Sequence, residues 1–180
     1  MRKKTNTLIF PLLVMGLFLI FASSCKKDDF PKIGSRYAGG LVFYTYGGGH
    51  GLVCAESDQS AGAEWGCLET LIGGTSTDLY TGAANTEAIV AGCTEPGIAA
   101  KLCYDLSLNG YDDWFLPSKD ELWLMYTNLR TQDLGGFASA TYWSSSENDS
   151  NVAFGQFFGL GDQHLASKNS TYRVRAVREF

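Results

Sequence analysis

Two histidines, four prolines and three methionines in 180 residues leave little material for several kinds of chemistry. His50 lies in a glycine-rich turn and His164 in a polar stretch, and neither stands beside a serine or cysteine as a triad requires. Charge is also scarce, at 18% of residues, and the 14 Lys and Arg are outnumbered by 19 Asp and Glu. Nucleic acid is therefore not an expected partner, because phosphate binding needs a surplus of cations. No two cysteines have C-x2-C spacing; the separations of 13, 26 and 10 between Cys54, Cys67, Cys93 and Cys103 speak against a zinc ribbon or a redox pair. The absence of heptads, internal repeats and low-complexity tracts argues against coiled coils and helical bundles. What is plentiful is glycine (21), aromatic residues (11 Phe, 9 Tyr, 4 Trp) and apolar residues generally (45%). A chain of this length and composition buries one core, and the expectation is an α+β domain rich in turns and short strands.

The first 25 residues address the chain. Arg2, Lys3 and Lys4 form a basic start, residues 8–21 are apolar apart from Pro11 and Gly16, and Ala22-Ser23-Ser24-Cys25 closes the stretch with small residues. Fourteen residues at about 1.5 Å each reach roughly 21 Å, short of the roughly 30 Å hydrocarbon layer, so a secretory signal fits better than a spanning helix. Small residues running into a cysteine resemble the lipobox of bacterial lipoproteins, which implies cleavage after residue 24 and lipidation of Cys25. Residues 1–24 are then a signal peptide and 25–38 the lipidated cysteine and tether. Lys26-Lys27-Asp28-Asp29 resembles the charged export signal of surface lipoproteins of the Bacteroidetes type, which implies the outer membrane and its outer face. Loss of the basic start takes the formal charge from −5 to −8.

Removing Cys25 leaves four cysteines in an exported chain, which reads as two disulfides with three connectivities open. The pairing expected is Cys67 with Cys93, closing a long polar stretch, and Cys54 with Cys103.

Residues 41–46 and 51–55 read as a hairpin across Gly47-Gly48-Gly49. Residues 56–85 read as irregular, 86–93 as a marginal helix and 97–106 as a better one. Ser118-Lys119-Asp120-Glu121 matches a capping box, opening a helix that turns Leu122, Met125, Tyr126 and Leu129 inward before Gly135-Gly136. Strands are expected at 141–145, 152–158 and 172–178, the last with Tyr172, Val174 and Ala176 on an apolar face opposite Arg173 and Arg175. Polar loops at 146–151 and 159–170 lie between them.

Six motifs in order, Gly39-Gly40-Leu41-Val42-Phe43-Tyr44, His50-Gly51-Leu52-Val53, Glu64-Trp65-Gly66-Cys67, Asp113-Trp114-Phe115-Leu116-Pro117-Ser118-Lys119-Asp120-Glu121-Leu122, Tyr142-Trp143-Ser144-Ser145-Ser146-Glu147 and Val174-Arg175-Ala176-Val177-Arg178, resemble one family. It is the family of the Legionella collagen-like protein C-terminal domain, and the resemblance spans 39–180. It implies a C-type-lectin-like fold related to that of formylglycine-generating enzymes, with two helices flanking a small twisted antiparallel sheet and function carried by irregular loops. The namesake domain is associated with sulfated glycans and adhesion, and some relatives vary residues near the C-terminal end, a role that Asn148, Asn151, Asn169 and Tyr172 would suit. A −8 chain is set against polyanions, although Arg173, Arg175, Arg178 and Lys168 would supply a local positive patch.

Carboxylates at 112, 113, 120 and 121 read as caps and turn braces. Glu147, Asp149 and Asp162 would offer three of the six to eight oxygens that calcium wants. Of the tryptophans, Trp114, Trp123 and Trp143 belong to packed motifs and Trp65 is the one expected at the surface for stacking on sugars. The expected function is a non-catalytic, lipid-anchored surface module that presents Asn148, Asp149, Asn151, Asp162, Gln163, His164, Lys168 and Asn169 to a glycan or a surface protein. It needs no cofactor and no metal. The alternatives are an assembly component of a surface appendage or envelope complex and, further off, an enzyme related to formylglycine-generating enzymes; against the latter, no cysteine follows Cys103.

Overall fold

The structure, a computed structural model, describes residues 30–180. The expected signal peptide, Cys25 and the first residues of the tether lie outside the described residues. The rest of the tether does not stay apart: β1 (Arg36–Tyr37) pairs with β2 (Gly40–Tyr46), and the Gly34 amide donates to the Val42 carbonyl at 2.8 Å.

The expected hairpin is β2 with β3 (His50–Cys54), antiparallel, with a register shift between Val42 and Tyr44. Two further segments follow that composition did not announce. β4 (Ser60–Ala63) lies in the stretch read as irregular, and α1 (Gly82–Gly92) begins four residues ahead of the expected helix. Tertiary contacts explain the extra turn: buried Asn85 donates to and accepts from the Ser76 backbone, and the Thr86 hydroxyl accepts from the Leu116 amide at 3.0 Å. A Cβ on Gly82 would stand 2.3 Å from a Glu121 carboxylate oxygen, so only glycine admits this approach.

α2 (Ala99–Tyr104) is shorter than expected. α3 (Lys119–Asn128) has the capping box in full: Ser118 Oγ accepts from the Glu121 amide at 3.3 Å, and Glu121 Oε2 accepts from the Ser118 amide at 2.8 Å. Leu122, Met125 and Leu129 are buried as the periodicity requires, and Tyr126 is half-buried.

β5 (Thr141–Glu147) and β6 (Val152–Phe157) pair antiparallel, and β7 (Gln163–Ser167) extends the sheet inside the segment expected as a loop. The single strand expected at 172–178 divides into β8 (Tyr172–Val174) and β9 (Val177–Glu179), which join different sheets. One sheet runs β1-β2-β3-β9 and the other β4-β8-β5-β6-β7. Among the described residues the fold is α+β, as expected, but with two sheets rather than one, three α-helices, and a parallel contact between β5 and β8 at Tyr142 and Arg173.

The core has two clusters. One gathers Val42, Trp65, Ile89, Ile98, Trp114, Trp143 and Val174; the other gathers Phe43, Leu52, Phe115, Leu122, Met125, Tyr142 and Phe158. Cys67 and Cys93 form the expected disulfide. The second expected pair is not formed: Cys54 packs in one cluster and Cys103 in the other, and both are buried free thiols. Burial pushes the Cys54 thiol up to about 12 and the Cys103 thiol higher still. Among the described residues no helix is long and apolar enough to cross a membrane.

Candidate functional site

The eight residues expected to bind a ligand do not form one site. Asp149 Oδ1 accepts from the Asn151 and Val152 amides at 2.8 and 3.0 Å, closing a tight turn between β5 and β6 and holding the carboxyl below its ordinary range. The Asn151 carbonyl accepts from the Lys168 amide at 2.9 Å, and Asn169 Oδ1 accepts from the Ser167 hydroxyl at 2.7 Å. Asn148, Asp149, Asn151 and Asn169 are thus exposed together at one tip of the second sheet.

Asp162 and Gln163 lie at the opposite end of the same hairpin. Val152 pairs with Ser167 and Gln156 with Gln163, so four residues of strand, roughly 13 Å, separate the two ends. Gln163 is held there, donating to the Lys119 carbonyl at 2.9 Å and to Gln156 Oε1 at 3.2 Å. His164 lies mid-strand, paired with Gly155, its ring 6.1 Å from that of Tyr172.

Lys168 is not a surface cation. Its side chain is 0% exposed, bonded to Glu147 Oε1 at 2.5 Å and to the Thr70 carbonyl at 2.7 Å, with the ammonium 4.5 Å from the Trp65 ring centroid. Trp65, expected at the surface, is buried by this contact and donates Nε1–H to the Ser144 carbonyl. The Glu147 carboxylate, 3% exposed, also accepts from the Ile72 and Gly73 amides at 2.9 and 2.7 Å. A fully satisfied buried ion pair therefore pins the long stretch after Cys67 against β5.

The other members of the expected positive patch are also spent. Asp58 bridges Arg173 at 2.7 Å and Arg175 at 2.6 Å, and Arg175 is buried against the Phe137 ring. Asp113 takes Arg178 in a two-bond fork at 2.6 and 2.7 Å, which lowers the Asp113 carboxyl, and the guanidinium lies over Tyr111. Five of the chain's Lys and Arg precede residue 30; of the nine that remain, eight lie within 4.0 Å of a carboxylate oxygen. The ninth, Lys32, is exposed.

The three carboxylates considered for calcium do not converge, because Glu147 is committed to Lys168, Asp149 to its own turn, and Asp162 lies at the far end of the hairpin. The cluster of Cys67, Cys93 and Glu95 is a disulfide beside a carboxylate that accepts from the Cys67 amide at 2.8 Å, so its sulfurs are not thiolate ligands. Glu121 is the notable buried acid. It accepts from the Tyr80 amide at 2.9 Å and weakly from Gly82 as well as from Ser118, and burial still pushes its carboxyl up to about 7. These three donors are backbone amides.

Sequence reasoning missed a cluster of aromatic rings at the end of the first sheet. Tyr44 and Tyr46 share a face of β2, and His50 opposes Tyr46 across the hairpin. Tyr80, from the turn before α1, packs its ring 5.0 Å from Tyr46 and 6.3 Å from Tyr44, and the Tyr46 and His50 centroids are 5.7 Å apart. The Tyr46 hydroxyl donates to Glu179 Oε1 at 2.6 Å. The alternation on β2 was legible; the arrival of Tyr80, 34 residues later, was not.

The fold has a solved counterpart. It is similar to that of a fimbrial protein from Bacteroides ovatus, with a TM-score of 0.50 and 19% identity, over 71% of this chain and 35% of that one. The chain thus spans about a third of that protein, and the likeness is one of fold. No protein-family model and no curated protein matches the chain.

Among the described residues, two of the open grooves are the larger candidates for a ligand. One, of about 390 Å³, is lined by Gly34, Arg36, Leu41, Glu56, Gly135 and Gly136, and Arg36 and Glu56 in that lining form an exposed ion pair. The other, of about 350 Å³, lies between α1 and the segment Asp112-Asp113-Trp114-Phe115. In the second, the Thr86 hydroxyl is committed to the Gly82 carbonyl and the Leu116 amide.

Proposed function

We propose that the chain is a non-catalytic binding module of the bacterial cell surface, tethered to the outer membrane through lipidated Cys25, with a C-type-lectin-like domain of the kind found at the end of the Legionella collagen-like protein. The observation that carries this reading is where polar side chains are spent. Ionic groups hold the frame together, whereas Asn148, Asp149, Asn151 and Asn169 stand in solvent on turns whose backbone is pinned by short hydrogen bonds. Rigid turns displaying adaptable amide groups suit recognition of a glycan or a protein.

A second reading is an assembly component of a surface appendage. The fimbrial protein whose fold is similar favours it, with this chain corresponding to about a third of that molecule's length.

The test uses the full chain purified from membranes. Glycan arrays and pull-downs are run with wild type and with alanines at positions 148, 149, 151 and 169. Glycan binding lost in the alanine variant supports the binding module; a stoichiometric protein partner with silent arrays favours assembly. Cys25→Ser is expected to leave the membrane fraction, and unchanged fractionation would remove the anchor.

A further inference from the structure

We propose that the aromatic cluster at the end of the first sheet is a carbohydrate subsite for uncharged pyranose rings, distinct from the polar tip of the second sheet. This deepens the binding-module reading and rests on it.

Three observations meet there. Tyr44, half-buried against the core, forms the floor on which the rings of Tyr46 and Tyr80 stand, and His50 continues the row beside Tyr46. Tyrosine faces are apolar with a polar rim, matching a pyranose that has a C–H face and a ring of hydroxyls. The second observation is polar: the Glu179 carboxylate, already engaged by the Tyr46 hydroxyl at 2.6 Å, is exposed and keeps lone pairs for sugar hydroxyls.

The third is that Tyr80 is held at a cost. Its φ is +67°, a left-handed conformation that a bulky residue rarely adopts and that glycine would take without strain. The Glu121 carboxylate accepts the Tyr80 amide and keeps it there, so a 41%-exposed ring is displayed by a buried acid two elements away.

Charge decides the ligand class. The cluster carries Glu179, and eight of the nine Lys and Arg in the described residues already lie within 4.0 Å of another carboxylate. Among the described residues no Lys or Arg forms an ion pair with Glu179, so a sulfated or uronate-rich chain would meet an unneutralised carboxylate. Neutral hexoses meet no such penalty.

The test prints uncharged hexose oligomers (maltohexaose, mannohexaose, cellohexaose) beside heparin-derived oligosaccharides and measures the full chain in a sugar-free detergent. Tyr80→Gly relieves the strained backbone but gives up the ring's packing on Tyr44 and Tyr46, so its fold is checked by urea unfolding, and it is expected to bind at least tenfold more weakly than wild type. Tyr46→Phe keeps the ring and removes the hydroxyl, and is expected to lose less. Binding only to heparin fragments overturns the proposal, as does uncharged-glycan binding that survives Tyr80→Gly. If binding then disappears in the alanine variant of positions 148, 149, 151 and 169, the binding module stands and this subsite falls. Arrays silent to every glycan overturn the subsite, and the module reading then rests on a protein partner in the pull-down.

Discussion

Lys168→Met separates a structural lysine from a ligand-binding one. Methionine has nearly the reach and volume of lysine without the charge, so the substitution leaves the Glu147 carboxylate buried with the Ile72 and Gly73 amides but no cation, and leaves the Thr70 carbonyl without its donor. Removing one partner of a buried pair costs about 3–5 kcal/mol, because the remaining charge is not compensated. The contact of the ammonium with the Trp65 face adds to this, by about 1–2 kcal/mol in a desolvated setting. For a domain of this size the shift in Tm is on the order of 10 °C. The assay is urea unfolding at pH 7 followed by circular dichroism and tryptophan fluorescence, with hydrogen exchange at Ile72 and Gly73. Those two amides are expected to lose protection before the rest of the sheet. The double variant Lys168→Met with Glu147→Leu is expected to recover part of the loss, since it removes both charges. A single variant within about 1 kcal/mol of wild type, with protection of Ile72 and Gly73 unchanged, would refute the reasoning.

Glu121 gives a pH signature. Burial raises its folded-state carboxyl from 4.5 to about 7, so the neutral form is favoured in the fold. The associated stability is present below pH 4.5 and lost as pH rises to 7, on the order of 3 kcal/mol. Denaturation at pH 5 and pH 8 should therefore show a smaller pH dependence in Glu121→Gln than in wild type; equal dependences would mean that the backbone donors outweigh burial. Reducing Cys67–Cys93, whose separation is 26 residues, should lower stability by roughly 3–4 kcal/mol, read as a lower urea midpoint in reductant. Cys54 and Cys103 should stay unlabelled by iodoacetamide in the native state and each take one label in urea without reductant, as shown by intact mass. Absence of those labels after unfolding would restore the second disulfide.

Much of the frame was legible because local chemistry and tertiary structure agree. The Ser118 and Glu121 box, the glycine turn between β2 and β3 and the inward stripe of α3 each follow from residues within one turn or one hairpin. β7 was hidden because Gln163-His164-Leu165-Ala166-Ser167 holds no β-branched residue; it is a strand because β6 offers an unpaired edge. The division of 172–178 was hidden for an electrostatic reason. Alternation placed Arg173 and Arg175 in solvent, but Asp58, more than a hundred residues earlier, meets them both, and Asp113 meets Arg178. Once Arg175 is neutralised it is buried with its neighbours Val174 and Ala176, and the chain is released to cross from one sheet to the other.

The same pairing governs what the surface can recognise. Net charge counts a buried Lys168 and an exposed Lys32 alike, although a ligand meets only what remains after internal pairing. Seventeen Asp and Glu follow residue 29, so the carboxylates outlast the cations that pair with them. Arg173, Arg175, Arg178 and Lys168, which in sequence suggest a landing place for a polyanion, are the residues the fold uses to hold Asp58, Asp113 and Glu147. The aromatic row of Tyr44, Tyr46, His50 and Tyr80 is left with hydroxyls, ring faces and one carboxylate, a set whose attraction depends on shape and desolvation and is little screened by salt. Affinity for an uncharged glycan should accordingly change little between 50 and 500 mM salt, roughly within twofold, whereas capture of a sulfated chain would fall steeply over the same interval.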